Sequence, residues 1–128
     1  MIFLTTKGVS IHISTSYVRT ELLDIVPTHI FSYTIRIENL SNYPIQLLSR
    51  YWEIIEANGQ IRHVEGEGVI GEQPFLYPGE FFEYTSGVDI NSDFAKMGGH
   101  YLMENKFNNS YFQVVIPTFH LNNPIRLN

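Results

Sequence analysis

A glycine-rich run at residues 66–71 has the residue types and spacing best suited to chemistry, because Gly66-Glu67-Gly68-Val69-Ile70-Gly71 reads G-x-G-x-x-G. In dinucleotide-binding folds such a run follows a strand and opens a helix whose N-terminal amides hold pyrophosphate. Here Gln73-Pro74 closes the segment and no helical pattern follows it, so the motif lacks that βαβ setting. The run therefore predicts a bend or bulge in a strand pair, with positive φ at one or more glycines.

A second interpretation of this run stays open, because bare amides in such a loop can form a small anion-binding nest without a helix. On that interpretation the ligand-binding residues are Gly66, Glu67, Gly68, Val69 and Gly71. The neighbouring carboxylates of Glu65 and Glu72 would repel a phosphate unless a cation intervened. A ligand site predicts that the loop amides converge on one point, with Arg50 or Arg62 nearby.

The histidines show none of the spacings, such as HxH or HExxH, that mark metal sites. His63 and Glu65 share a face if they lie on a strand, and Glu67 could join them. Such a group could hold a divalent cation, or it could form a solvated polar surface. No serine sits in a G-x-S-x-G elbow, and no cysteine is present. We therefore assign no catalytic residue and no metal ligand, and we expect a non-enzymatic protein without a cofactor.

Charge and hydropathy exclude several classes of partner. The net charge is −5 and the 8 Lys and Arg residues are scattered, so the basic patch of a nucleic-acid binder or an anionic-membrane binder is missing. No apolar run approaches the roughly 20 residues that span a bilayer. The first residues show no signal-peptide pattern, and the sequence therefore predicts a cytoplasmic protein.

Aromatic residues are unusually frequent at 14% of the chain, with 9 Phe and 8 Tyr. Aromatic side chains favour strands and fill cores, so core volume is one explanation. The alternative is an exposed aromatic patch that contacts a partner.

The elements that must position these residues are strands, because apolar and polar residues alternate along most of the chain. Strands are predicted at residues 9–14, 31–38, 45–56, 60–65, 80–85, 98–103 and 111–121. Turn signals such as Asn58-Gly59 and Pro78-Gly79 separate them, and only residues 91–97 could host a helical turn. About seven antiparallel strands in one domain, 1–128, predict a two-sheet sandwich of immunoglobulin or fibronectin type III character, with a small barrel as the rival.

The order of short motifs along the chain resembles the bacterial ApaG family. The segments that carry the likeness are FSYTIRIEN at 31–39, QLLSRYWEI at 46–54, VEGEGVIGEQP at 64–74, YPG at 77–79, FEYTSG at 82–87, MGGHY at 97–101 and IPTF at 116–119. They run in order from about Gly8 to Leu121, and Ile70 stands where the family usually has valine. The resemblance implies a fibronectin type III-like sandwich.

For function the resemblance implies several possibilities. The family's glycine motif has been proposed as a pyrophosphate site, which maps to Gly66, Gly68 and Gly71. Names given to members link the family to cobalt and magnesium efflux and to a gene neighbour that hydrolyses dinucleoside polyphosphates. Related domains in eukaryotic F-box and polymerase-interacting proteins look like protein-interaction modules.

We therefore expect a non-enzymatic binding module for an unidentified protein partner, using the glycine loop and an exposed sheet edge. A homodimer through such an edge is one form of this. The alternative is a binder of pyrophosphate or dinucleoside polyphosphate through residues 66–71, with or without a divalent cation.

Overall fold

The computed structural model describes residues 2–22 and 25–124. Within these residues the chain forms strands and turns. The strands are β1 (Ile2–Thr6), β2 (Val9–Glu21), β3 (Thr28–Asn39), β4 (Ile45–Glu56), β5 (Ile61–Glu67), β6 (Phe75–Leu76), β7 (Phe81–Ile90), β8 (Phe94–Asn105) and β9 (Ser110–Asn122). There is no helix in the described part with the length and apolar character that crossing a membrane requires.

The strands build two antiparallel sheets that pack face to face. One sheet has the order β1-β2-β3-β7, and the other has β5-β4-β8-β9 with the short β6 paired to β4. Tyr33 of β3 contacts Trp52 of β4 and Phe119 of β9, with ring centroids 5.5 and 5.9 Å away, so aromatic rings fill the space between the sheets. The predicted two-sheet sandwich is confirmed, and the barrel alternative is wrong.

The central strands are those in which apolar and polar residues alternate most regularly in the sequence. In β3 every second residue is buried, from Phe31 through Ile35 and Ile37 to the strand's end, while the intervening polar residues face outwards. β4 has the bounds that the sequence predicted. Strands β1 and β6 were not predicted, because five residues and two residues are too short to show a period.

Two local predictions about β8 are wrong. Gly98-Gly99 lies inside β8 rather than opening it, at a register shift between Met97 and Gly99 against β9. A Cβ at Gly99 would stand 1.8 Å from the carbonyl oxygen of Tyr51, so glycine lets β4 approach closely here. Residues 91–97, where the sequence allowed a helical turn, form none, because β8 begins at Phe94.

The carboxylate of Glu56 holds the turn between β7 and β8, at residues where the sequence allowed a helical turn. Glu56 is buried, and its Oε1 accepts hydrogen bonds from the backbone amides of Asn91 at 2.7 Å and Ser92 at 3.1 Å. These bonds fold the β7–β8 connection tightly against the end of β4. A buried carboxylate 35 residues away in sequence left no local signal.

Candidate functional site

The glycine loop, residues 66–71, has the bent conformation that the sequence predicted. Gly68, Ile70 and Gly71 have φ values of 63°, 49° and 74°, all in the left-handed region. A Cβ at Gly68 would stand 2.2 Å from the carbonyl oxygen of Glu72, whereas a Cβ at Gly71 would meet nothing within 4 Å. Gly68 is therefore needed both because its φ is positive and because no Cβ fits at this bend. Gly71 is needed only because its φ is positive.

Three amides at the end of this loop are already bonded to backbone oxygens. The amide of Gly68 donates to Leu48 at 2.8 Å, that of Val69 donates to Glu72 at 2.8 Å, and that of Glu72 donates back to Val69 at 3.0 Å. Val69 is buried in the core, while Glu67 and Gly71 are exposed. These three amides therefore donate to backbone carbonyl oxygens and do not converge on one point in solvent.

Arg50 of β4 is hydrogen-bonded to the backbone of the glycine loop. Its Nη1 donates hydrogen bonds to the carbonyl oxygens of Glu67 at 3.1 Å and Gly68 at 3.0 Å. Gly66 makes room for the guanidinium, because a Cβ at residue 66 would stand 2.7 Å from Nη1. Gly66 and Gly68 thus have structural roles around one arginine, which explains two of the three motif glycines without a ligand.

Both arginines that the sequence singled out line one cleft between the open edges of the sheets. The cleft has a volume of about 240 Å³ and includes Arg50, Arg62, Tyr33 and Ser86. Arg62 of β5 reaches across to β7, where Nη2 donates to the carbonyl oxygen of Asp89 and Nη1 lies 3.6 Å from the carboxylate. Its Nε is buried without a hydrogen-bond partner.

Three tyrosine hydroxyls form a polar layer behind this cleft. Tyr84 and Tyr101 are hydrogen-bonded to each other, and Tyr33 lines the cleft together with Ser86. Burial raises the pKa of Tyr33, of Tyr84 and of Tyr101 above the ordinary tyrosine value, and the charge of Arg50 opposes this only in part. These hydroxyls stay protonated at neutral pH and act as hydrogen-bonding groups of the core.

The predicted face of His63 is polar and is organised around Tyr51. The Tyr51 hydroxyl is hydrogen-bonded to Nδ1 of His63 at 2.6 Å, and the Tyr51 ring stacks against His63 and His100 with centroids 5.8 and 5.1 Å away. His63 also lies 3.8 Å from the carboxylate of Glu53. Among the described residues, no group of three or more His, Cys, Asp or Glu side chains is arranged to hold a metal ion.

Exposed aromatic residues cluster at one end of the sandwich, which we call the aromatic end; the sequence allowed for such a patch but did not indicate its residues. Its members are Tyr43, Phe75, Tyr77, Phe107 and Tyr111. Tyr43 stacks on Phe107 with ring centroids 5.2 Å apart, and Phe75 packs edge-on against Tyr77 at 5.1 Å. Phe107, in the turn between β8 and β9, is 73% exposed, and Tyr111, at the start of β9, is 66% exposed.

Cross-strand pairing connects the parts of the aromatic end. Phe75 of β6 lies opposite Gln46, Gln46 lies opposite Glu104 on β8, and Glu104 lies opposite Tyr111 on β9. Directly opposed residues share a face of a sheet, so these four side chains form one row that faces away from the core. The row joins the Phe75–Tyr77 pair to Tyr111.

A buried asparagine fixes the two loops that carry these rings. The side-chain amide of Asn39 donates to the carbonyl oxygens of Tyr43 at 2.8 Å and Leu76 at 3.0 Å, and its Oδ1 accepts from the hydroxyl of Ser41 at 2.6 Å. Asn39 has no exposed surface. One side chain at the end of β3 therefore links the backbone of Tyr43 to that of Leu76, which lies between Phe75 and Tyr77 in the sequence.

Comparison with known proteins gives the chain its family. The family model for the ApaG domain, also designated DUF525, matches residues 25–105. The chain belongs to the ApaG family. Protein ApaG of Sodalis glossinidius is 40% identical over 125 residues, which cover 98% of this chain and 99% of the relative. Protein ApaG of Xylella fastidiosa is 55% identical over 75 residues, which cover 59% of each chain.

Solved structures of similar chains agree with the fold. An X-ray structure of a Northeast Structural Genomics Consortium target is 33% identical, with a TM-score of 0.87 over 91% of this chain and 88% of the other. A crystal structure of an ApaA protein from Bordetella pertussis is 34% identical, with a TM-score of 0.81 over 91% of this chain and 94% of the other. The two-sheet sandwich is thus shared with relatives in this range of identity.

One sequence signal could have located the aromatic end of this ApaG-family chain. Aromatic residues stand beside turn residues in Tyr43-Pro44, Tyr77-Pro78 and Phe107-Asn108. Connecting segments lie on the surface, so a large apolar side chain within a turn is expected to be exposed or to pack on another loop. The overall aromatic content hid this signal, because most tyrosines and phenylalanines are also suited to strands.

Proposed function

We propose that this ApaG-family chain is a non-enzymatic, cytoplasmic protein-binding module and that the aromatic end is its contact surface. The observation that supports this is the two exposed aromatic pairs, one stacked and one edge-on, with buried Asn39 bonded to the backbone of Tyr43 and Leu76. Contiguous exposed apolar patches mark interaction sites, and tyrosine and phenylalanine are enriched at interfaces.

The preorganisation of the aromatic end favours binding. Rings that are already stacked and loops that are already hydrogen-bonded lose little conformational freedom when a partner is bound. Tyr43, Tyr77 and Phe107 have only two side-chain torsions each, and the side chains of Asn39, Glu80 and Asn105, respectively, are hydrogen-bonded to their backbone. The conformational entropy of this surface is lost when the chain folds, so little more is lost when a partner binds.

A second candidate function is binding of pyrophosphate or a dinucleoside polyphosphate. It is favoured by one observation, the position of Arg50 and Arg62 in a single cleft next to the glycine loop. The bonded amides of Gly68 and Val69 offer little to a phosphate, so the arginines would have to supply the contacts. A link to cobalt or magnesium homeostasis would require a cation in addition to these groups.

Site-specific photo-crosslinking in cells tests the protein-binding proposal. A photoreactive amino acid is placed at Phe107, at Tyr77, at Ile70 in the glycine loop, and at Glu83, an exposed control on the outer face of the other sheet. We expect a discrete crosslinked protein from Phe107 and Tyr77 and none from Glu83. Capture of a second copy of this chain would identify the complex as a homodimer.

Two results would contradict the proposed surface. Equal crosslinking from Glu83 would show that contacts at the aromatic end are nonspecific. A discrete product from Ile70 alone would move the contact surface to the glycine loop and the adjacent edge of β5, which among the described strands pairs only with β4.

A further inference from the structure

The aromatic end contains a groove that is lined by a lysine and, among the described residues, by no acidic side chain. It has a volume of about 570 Å³ and runs between the β1–β2 turn, the β3–β4 loop and the start of β9. Tyr43 and Tyr111 form aromatic walls, and Lys7, Asn42 and Asn105 stand at the rim. This volume is within the range of pockets that bury a small ligand or a few side chains.

Lys7 gives the groove a positive charge without a counterion. Its ammonium makes no hydrogen bond or ion pair within the described residues, and none of the described residues that line the groove is acidic. The carboxylate in the neighbouring row, that of Glu104, is paired with Lys106 at 3.0 Å.

The backbone holds Lys7 at this rim. Lys7 and Gly8 have φ values of 50° and 81°, the left-handed pair that a two-residue hairpin of type I′ requires. The carbonyl oxygen of Gly8 accepts a 2.7 Å hydrogen bond from the amide of Leu40, which ties the hairpin to the β3–β4 loop. The ammonium is therefore tethered to a fixed point beside the aromatic walls.

The other polar groups of the groove include hydrogen-bond donors. Asn42 and Asn105 carry side-chain amides, and Tyr43 and Tyr111 carry hydroxyls. Donors next to an unpaired cation favour a ligand rich in acceptors, above all a carboxylate. The aromatic walls favour an apolar or aromatic side chain beside it.

We propose that this groove binds an extended polypeptide segment of the partner in which an acidic side chain adjoins an aromatic or large apolar one. The inference rests on the proposed protein-binding function and specifies the partner's contact residues. The carboxylate lies by Lys7 and the apolar side chain lies between Tyr43 and Tyr111. This site is separate from the glycine loop and from the arginine cleft.

A charge-swap selection tests the inference. A library of random peptides displayed on phage is selected on the immobilised full chain, on Lys7→Glu, on Lys7→Gln and on Lys96→Glu. Lys96 is an exposed lysine on β8 outside the groove, so Lys96→Glu changes the net charge as Lys7→Glu does. Thermal melting establishes that each variant is folded before selection.

We expect the wild-type chain and Lys96→Glu to enrich peptides with Asp or Glu next to an aromatic residue. Lys7→Glu should lose these peptides and enrich Lys or Arg instead, and Lys7→Gln should bind a selected acidic peptide about fivefold more weakly, as for a partly exposed charge pair. Fluorescence anisotropy with that labelled peptide and its Gln-substituted counterpart measures the change.

The inference is overturned if the same peptides are enriched on the wild type and on Lys7→Glu, or if no peptide is enriched. If crosslinking from Phe107 then persists with unchanged yield in Lys7→Glu, the proposed protein-binding function still holds and only the proposed acidic segment of the partner is excluded. Loss of preferential crosslinking at Phe107 relative to Glu83 would instead remove the protein-binding function itself.

Discussion

The side-chain amide of Asn39 lies 2.8 Å from the carbonyl oxygen of Tyr43 and donates a hydrogen bond to it. Because Asn39 is wholly buried at the end of β3, this bond connects the core of one sheet to an exposed aromatic ring at the start of the other. The aromatic end is thus a product of the fold and not of one sequence motif.

Replacing Asn39 by Leu is expected to lower the free energy of unfolding by about 3 kcal/mol, because the carbonyl groups of Tyr43 and Leu76 lose their donor. Ser41→Ala removes one bond to Asn39 and should cost about 1 kcal/mol. Urea unfolding followed by the fluorescence of Trp52 measures both. Equal losses in the two variants would show that Asn39 does not organise these loops.

The two positive-φ glycines of the loop should respond differently to alanine. Gly68→Ala places a Cβ against the Glu72 carbonyl as well as straining φ, and should cost about 3 kcal/mol. Gly71→Ala strains φ alone and should cost about 1 kcal/mol. Urea unfolding of the pair checks this order. A larger loss for Gly71→Ala would contradict the packing described for residue 68.

Buried tyrosines should make the protein less stable in alkali. The pKa values of Tyr33, Tyr84 and Tyr101 are raised from 10.0 in the folded chain, so above pH 10 the unfolded chain releases phenolic protons first. Their contribution to stability is therefore complete below pH 10 and declines as pH rises beyond it. Urea unfolding at several pH values measures the slope, which should be shallower in Tyr84→Phe. An unchanged slope in that variant would contradict the burial of its hydroxyl.

Pyrophosphate should not bind through the amides of the glycine loop. The amides of Gly68, Val69 and Glu72 donate to backbone oxygens, so an amide NMR titration with pyrophosphate, with and without Mg²⁺, should give no saturable shifts at these three residues. Saturable shifts there that Arg62→Gln abolishes would contradict this expectation and support the second candidate function.

Much of the sandwich could be predicted because its signals are local. The alternation in β3 and β4 and the Asn58-Gly59 turn lie within short stretches of sequence, and so do the glycines that bend the loop at 66–71. The family could be predicted for a similar reason, since each of the motifs that indicate it is a short run of consecutive residues.

The turn residues beside Tyr43, Tyr77 and Phe107 could have indicated exposed rings, but the contacts that assemble the aromatic end could not be predicted, because its parts meet only in the folded chain. Tyr43 and Phe107 stack across two separate turns, and the hydrogen bond from Asn39 to Leu76 spans 37 residues. The same reason applies to residues 91–97, where the sequence allowed a helical turn and the distant carboxylate of Glu56 instead accepts a hydrogen bond from the amide of Asn91. Contacts over such separations leave no period in the sequence.

The most direct test of the account compares two phenylalanines of similar exposure. Phe75 at the aromatic end is 41% exposed, and Phe94 at the start of β8 is 42% exposed. We expect Phe75→Ser to raise the Kd for the protein captured by crosslinking at least about tenfold, as for a central interface aromatic, and Phe94→Ser to leave the Kd unchanged in isothermal titration calorimetry. Equal Kd values for the two variants, or a larger loss for Phe94→Ser, would contradict the assignment of the aromatic end as the contact surface.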